Sequence, residues 1–169
     1  VQHAGDKVYL VGKTGNDFAG TEILKMLTGD ISGVLNSFDM EHVHDYMMRL
    51  LTAMQQGNVA SAHDLSEGGL GVGLAETLFK TDLGMNIDIR HLTAAQLFSE
   101  TPGRFVVTVP DAKTVAFEKT MGADALLVGE VTNTHWLEAH LQDAEINQNV
   151  AELQKLWEEA IPCQLKSKD

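Results

Sequence analysis

Apolar and polar residues along the chain alternate between two periods. KVYLVG, residues 7–12, is a short apolar run that predicts a buried strand, and a polar, glycine-rich stretch follows over residues 13–20. A short helix is expected from Thr21-Glu22 to Leu27. Between Phe38 and Gln56, apolar residues fall three and four apart (Val43, Tyr46, Met47, Leu50, Leu51, Met54), which predicts an amphipathic helix. Asn36 or Ser37 is the expected N-cap, and Gly57-Asn58 the stop. Val59–Ala62 reads as a strand, Leu70–Phe79 as a helix whose small side (Gly71, Gly73, Ala75) packs closely, and Met85–Ile89 as an alternating strand. A helix over Thr93–Phe98 precedes the clearest strand, Arg104–Val109, which Pro110 stops. A helix over Thr114–Met121, a strand over Ala125–Val128 with a strand end at Glu130-Val131, and a helix over Val150–Ala160 with Leu153, Leu156 and Trp157 on one face complete the pattern. The mixed order and amphipathic strands favour an α+β fold, a mixed sheet layered with helices on one face, over a doubly wound sheet.

Length and composition narrow this picture. The chain has 169 residues, enough for a single domain over 1–169 with a real core, and 44% of them are apolar. It opens on Val1 rather than Met and runs almost at once into a strand, so it reads as a piece of a longer protein. With 24 acidic and 12 basic residues the net charge is −12, which argues against nucleic acid and anionic membranes as partners. An anionic ligand then needs a metal or main-chain dipoles to hold it. One cysteine, Cys163, rules out an internal disulfide and suits the cytoplasm. The seven methionines read as core filler.

Candidate chemistry gathers in three places. In His63-Asp64-Leu65-Ser66-Glu67-Gly68-Gly69 a strand runs through polar groups and paired glycines into an apolar helix. Asp64 is a hard oxygen ligand suited to Mg²⁺, Ser66 can donate to a phosphate, and Gly68 and Gly69 bring main-chain amides towards an anion at a helix start. The same residues also suit a plain turn in which Asp64 or Ser66 caps the helix, and His63 reads as a packed histidine rather than a base. In Ser99-Glu100-Thr101-Pro102-Gly103-Arg104, polar groups collect before a strand, and Arg104 suits a phosphate or carboxylate. An internal Glu100–Arg104 ion pair is the alternative. The loop Lys13–Gly20 lacks the Gly-Lys-Ser/Thr ending of a phosphate loop and reads as a flexible connection covering a neighbouring domain. His42 and His44 point to opposite helix faces, so no zinc site is expected.

Four ordered stretches carry a resemblance: KVYLVGKTGNDFAGTE, AHDLSEGGLGVGLAE, LFSETPGRFVVTV, and VGEVTNT followed by LWEEAIPCQLKSK. Together they resemble the C-terminal domain of the phosphoribosylformylglycinamidine synthase family, in its short form. More distantly they resemble aminoimidazole ribonucleotide synthetase, thiamine-monophosphate kinase, selenophosphate synthetase and a hydrogenase maturation factor. The resemblance implies the C-terminal half of a two-domain synthetase unit that closes over a site for ATP and Mg²⁺ held mostly by an N-terminal domain. It implies a ligase of purine biosynthesis that turns formylglycinamide ribotide into formylglycinamidine ribotide, beside glutaminase and small accessory subunits. On matching positions, Asp64 resembles a Mg²⁺ ligand and Ser66 a nucleotide contact at a second, pseudo-symmetric site. Ser99, Glu100 and Arg104 are the candidate substrate contacts, although the sequence departs at Thr101 from the family's Ser-Glu-Ser. No catalytic base is implied for this half, and the fragment alone is expected to be inactive. The rival readings are a non-catalytic interaction domain and another superfamily member, such as a kinase of a small phosphorylated cofactor.

Overall fold

A computed structural model describes residues 1–166, with side chains through Ala160. Cys163 and most of the closing AIPCQLKSK stretch therefore lie outside the described side chains. The strands are β1 (Lys7–Val11), β2 (Ser61–Asp64), β3 (Gly84–Ile89), β4 (Phe105–Val109), β5 (Ala125–Thr132), β6 (Trp136–Leu141) and β7 (Glu145–Asn149). The helices are α1 (Glu22–Thr28), α2 (Met40–Gln55), α3 (Gly69–Leu78), α4 (Ala94–Leu97), α5 (Thr114–Met121) and α6 (Val150–Lys166). All seven strands form one sheet in the order β2-β4-β1-β5-β3-β6-β7. Only β3 and β6 run parallel; the other neighbours are antiparallel. The α+β expectation holds.

The sheet is covered on both faces, not one. In β1 the side chains alternate: Val8 and Leu10 join Leu70, Leu74 and Leu78 of α3, whereas Tyr9 and Val11 join Tyr46 and Leu50 of α2 and Phe117 of α5. A strand with apolar residues at consecutive positions, such as YLV in β1 or FVV in β4, needs a cover on each side. On the α2/α5 face that cover stops halfway, and β3 presents exposed Asn86 and Asp88 beyond it.

Several boundaries move. Helix α2 is capped by Asp39, whose side chain accepts from the His42 amide, rather than by Asn36 or Ser37. Residues 30–39 instead form an irregular strap. Strand β2 starts two residues later than expected and is a half-exposed edge strand, so Asp64 is its last residue rather than the second beyond it. Strands β6 and β7 were not anticipated. Among the described side chains of α6, Val150 and Leu153 pack against the core, while Leu156 and Trp157 are exposed. Only Met85 and Met121 among the methionines are core filler; Met26, Met40, Met47, Met48 and Met54 are exposed.

An ion cluster ties α2 to the turn before β5. Arg49 Nη2 donates to Asp124 Oδ2, another Arg49 nitrogen donates to the Met121 carbonyl, and His42 Nε2 lies 2.9 Å from Asp124 Oδ1. Burial opposes ionisation of Asp124, but the hydrogen bonds from Arg49 and His42 and their charges together outweigh it and hold its carboxyl below the ordinary value of 3.8. A carboxyl lowered in the folded state stabilises the protein above its unfolded pKa, and that stabilisation is lost as pH falls through the lower folded value. Acid titration of stability followed by circular dichroism should therefore show a loss below about pH 4 that Asp124→Asn makes shallower.

Candidate functional site

The residues singled out in sequence meet at one corner of the sheet. Asp64 ends β2, Ser66 and Glu67 form the turn, and Gly68 is the N-cap of α3. The β2–β4 ladder pairs Asp64 with Phe105, which places the 99–104 loop directly beside this turn. Asp64 and Ser66 are both exposed, and the Ser66 hydroxyl donates to Asp64 Oδ2 at 3.1 Å. With Glu67, Glu100, Pro102 and Met47 they line an open groove.

The twin glycines are largely spent within the fold. Gly68 N donates to Glu100 Oε1 at 2.8 Å, and Gly69 N donates to the Ser66 carbonyl at 3.1 Å. Gly69 is buried at φ +62°, and a Cβ there would sit 2.3 Å from the Ser99 carbonyl oxygen. The second glycine is thus required by close approach of the 97–99 main chain. Glu100 Oε1 also accepts from Glu22 N at 3.1 Å, so one carboxylate oxygen joins the starts of α1 and α3. A carboxylate is well placed there, because helix starts present free N–H groups and positive potential.

The alternative reading, a Glu100–Arg104 ion pair, does not form. Arg104 is 1% exposed, and its guanidinium donates to the Thr101 and Ser99 carbonyls and to Thr14 Oγ1. Burial holds its pKa down to about 10, with the charges of Asp17 and Glu100 and the neighbouring Tyr46 opposing the shift. Ser99 is fully buried, and its Oγ accepts from Asp17 N. Ser99 and Arg104, expected as substrate contacts, are therefore buried and brace the loop; Glu100 borders the groove, Arg104 contributes to its floor, and Ser99 does not reach it.

Sequence reasoning missed the partners of this brace. Thr101 Oγ1 accepts from Gly15 N and donates to Asp17 Oδ2, which leaves Ser99 as the donor to Thr101 Oγ1. Asp17 Oδ1 accepts from Asn36 of the strap. The 13–20 loop is thus laced to residues 99–104 rather than free. The signal was present in two polar loops of matching hydroxyl and carboxylate content, but nothing local says that loops some 85 residues apart are neighbours. His63 lies with Nε2 3.1 Å from Glu76 Oε2 and is half-buried, in keeping with a packed histidine.

The groove is predominantly acidic: Asp64, Glu67 and Glu100 line it, and Arg104, the cation in its lining, is buried with its guanidinium engaged. Among the described residues no group of three or more His, Cys, Asp or Glu side chains is arranged to hold a metal unaided. A lone exposed carboxylate suits a cation that takes its remaining ligands from water and phosphate, as Mg²⁺ does.

Residues 3–142 match the family described as AIR synthase related protein, C-terminal domain. The chain belongs to this family. Over all 169 residues it is 66% identical to a Limosilactobacillus reuteri protein named phosphoribosylformylglycinamidine synthase subunit PurL, and it spans 23% of that protein's length. Among solved structures, Thermotoga maritima PurL complexed with FGAR gives a TM-score of 0.74 at 19% identity, over 90% of this chain and 28% of that one. The same protein complexed with ATP gives 0.69 at 18%, over 91% and 26%. At such identities the likeness is one of fold. No helix among the described residues is long and apolar enough to cross a membrane.

Proposed function

We propose that this domain works inside a longer polypeptide as one wall of the site of an ATP-dependent amidine-forming ligase of purine biosynthesis. The reaction takes formylglycinamide ribotide to formylglycinamidine ribotide: the γ-phosphoryl group of ATP passes to the amide oxygen, and ammonia then displaces phosphate at the amide carbon. The observation that carries this reading is the 66% identity along the whole chain to a protein named as that synthase subunit. The ATP complex of a structural relative supports a nucleotide as one ligand. The other parts of the assembly are an N-terminal domain of the same enzyme, a glutaminase and a small accessory subunit, and its compartment is the cytoplasm.

Within this wall, Asp64 is the residue that would hold Mg²⁺, and Ser66 the one that would donate to a nucleotide phosphate. Mg²⁺, when bound, neutralises phosphate charge. The fit rests on donor chemistry: Asp64 and Ser66 already share a hydrogen bond at the rim of a predominantly acidic groove, and a divalent cation there offsets the repulsion that an entering anion meets. Gly68 and Gly69 act indirectly, since their amides are engaged by Glu100 and Ser66 and they set the turn that presents Asp64. Glu100 keeps that turn in register with α1 and the 13–20 loop.

Turnover of the intact polypeptide with ATP, ammonia and formylglycinamide ribotide tests the reading. Asp64→Asn should weaken Mg·ATP use by roughly tenfold, the share of one charged ligand among several, and raised Mg²⁺ should restore part of it. An unchanged dependence on Mg·ATP would assign Asp64 to capping the turn. The alternative of a non-catalytic domain draws on one observation, the internal bonding of both glycine amides, and the same experiment decides it.

A further inference from the structure

Helix α2 carries two apolar stripes. Val43, Tyr46, Leu50 and Ala53, at spacings of 3-4-3, pack into the core with α5. About a quarter turn round the helix, a second stripe, apolar except for His44, follows at 4-3-4-3 through Met40, His44, Met47, Leu51 and Met54, and all five are exposed. That second spacing is the seam of a helix that meets another helix at a shallow angle. Its residues touch solvent in a chain that has a complete core without them. An apolar surface of this kind marks an interface, and methionines suit one because their flexible thioethers fill irregular gaps. The seam continues into the strap, where Ile31, Val34 and Leu35 are more exposed still.

We propose that the Met40–Met54 seam is the docking face for an apolar helix from the part of the same polypeptide that lies outside these residues. Two observations select this occupant. The chain spans 23% of the length of its 66% identical relative, so relatives carry several hundred residues more. The seam also covers only about 20 Å by 10 Å, a few hundred Å² per side. That is far below the roughly 1,200 Å² total of a stable interface between separate molecules, whereas a tethered partner at high effective concentration can hold it. Because Met47 also lines the groove with Asp64 and Glu100, the docked helix forms the rim of the proposed site. The proposal rests on the domain working inside a longer polypeptide, but not on any catalytic step.

Peroxide footprinting of the intact polypeptide, read methionine by methionine, tests it without requiring turnover. The protein supplies its own references: Met85 and Met121 are fully buried, and Met26 is exposed on α1, off the seam. Met40, Met47 and Met54 should oxidise about tenfold more slowly than Met26, independently of protein concentration. Leu51→Glu should bring oxidation at Met47 and Met54 up towards the Met26 rate while Met85 and Met121 stay protected. Seam methionines that oxidise as fast as Met26 in the unmodified polypeptide overturn the proposal. Protection that disappears on dilution also overturns it, since the occupant is then a second copy.

Discussion

Arg104→Ala should lower stability by about 3–5 kcal/mol, one of the largest losses available to a single substitution in this chain. Its side chain is buried, and three acceptors (the Thr101 and Ser99 carbonyls and Thr14 Oγ1) depend on it. Truncation empties a cavity and leaves those acceptors without a donor, at about 1–3 kcal/mol for each that water cannot reach. In a domain of this size, thermal unfolding should then shift down by about 10 °C. Arg104→Lys keeps the charge, but a single ammonium cannot replace the planar fork across three acceptors, so roughly half the loss should remain. A melting temperature unmoved by Arg104→Ala would mean that the 99–104 loop is held by something other than this guanidinium.

Gly69→Ala is expected to be nearly as damaging. An alanine Cβ would lie 2.3 Å from the Ser99 carbonyl oxygen and 3.0 Å from that of Leu97, and both are main-chain atoms that no rotamer change can move aside. The left-handed conformation adds about 1–2 kcal/mol, so the total should exceed about 3 kcal/mol. Gly29→Ala supplies the comparison: its φ of +75° is similar, but nothing lies within 4 Å of a Cβ there. It should cost only about 1 kcal/mol. The difference between the two, measured by thermal or urea unfolding, isolates the overlap with the 97–99 main chain. Equal effects would show that backbone conformation alone explains both glycines.

The sequence showed the core elements well because each announces itself locally. RFVVTV is β-branched and apolar between Gly103 and Pro110, and the period of α2 is helical over four turns. It showed less where an element depends on distant neighbours. β7 contains a single apolar residue, Ile146, because it is an edge strand, and its partner β6 supplies the pattern that would define it. The helices appeared to need only one face of the sheet because alternation cannot tell a half-buried strand from one covered by two layers of unequal extent. At the site, the residues were found but their orientations were not. Arg104 reads as a cation for a phosphate, a carboxylate or Glu100, and only the fold shows that its acceptors are the Ser99 and Thr101 carbonyls of its own loop and Thr14 of another. The methionines misled for a related reason: the second seam of α2 shares its helical period with the first, and one-dimensional spacing does not say which stripe is buried.

The position of β1 has a consequence for how the chain is made. Strand β1, the first of these residues' strands to be made, is flanked in the sheet by β4 and β5, both roughly 100 residues later. Until β5 has emerged, β1 has no permanent neighbour on that side and exposes an apolar edge. Such late pairing slows acquisition of structure and prolongs vulnerability to aggregation during synthesis. Nascent chains halted before residue 125 should accordingly remain protease-sensitive throughout the first strand, and protection should arrive abruptly once the fifth has been added.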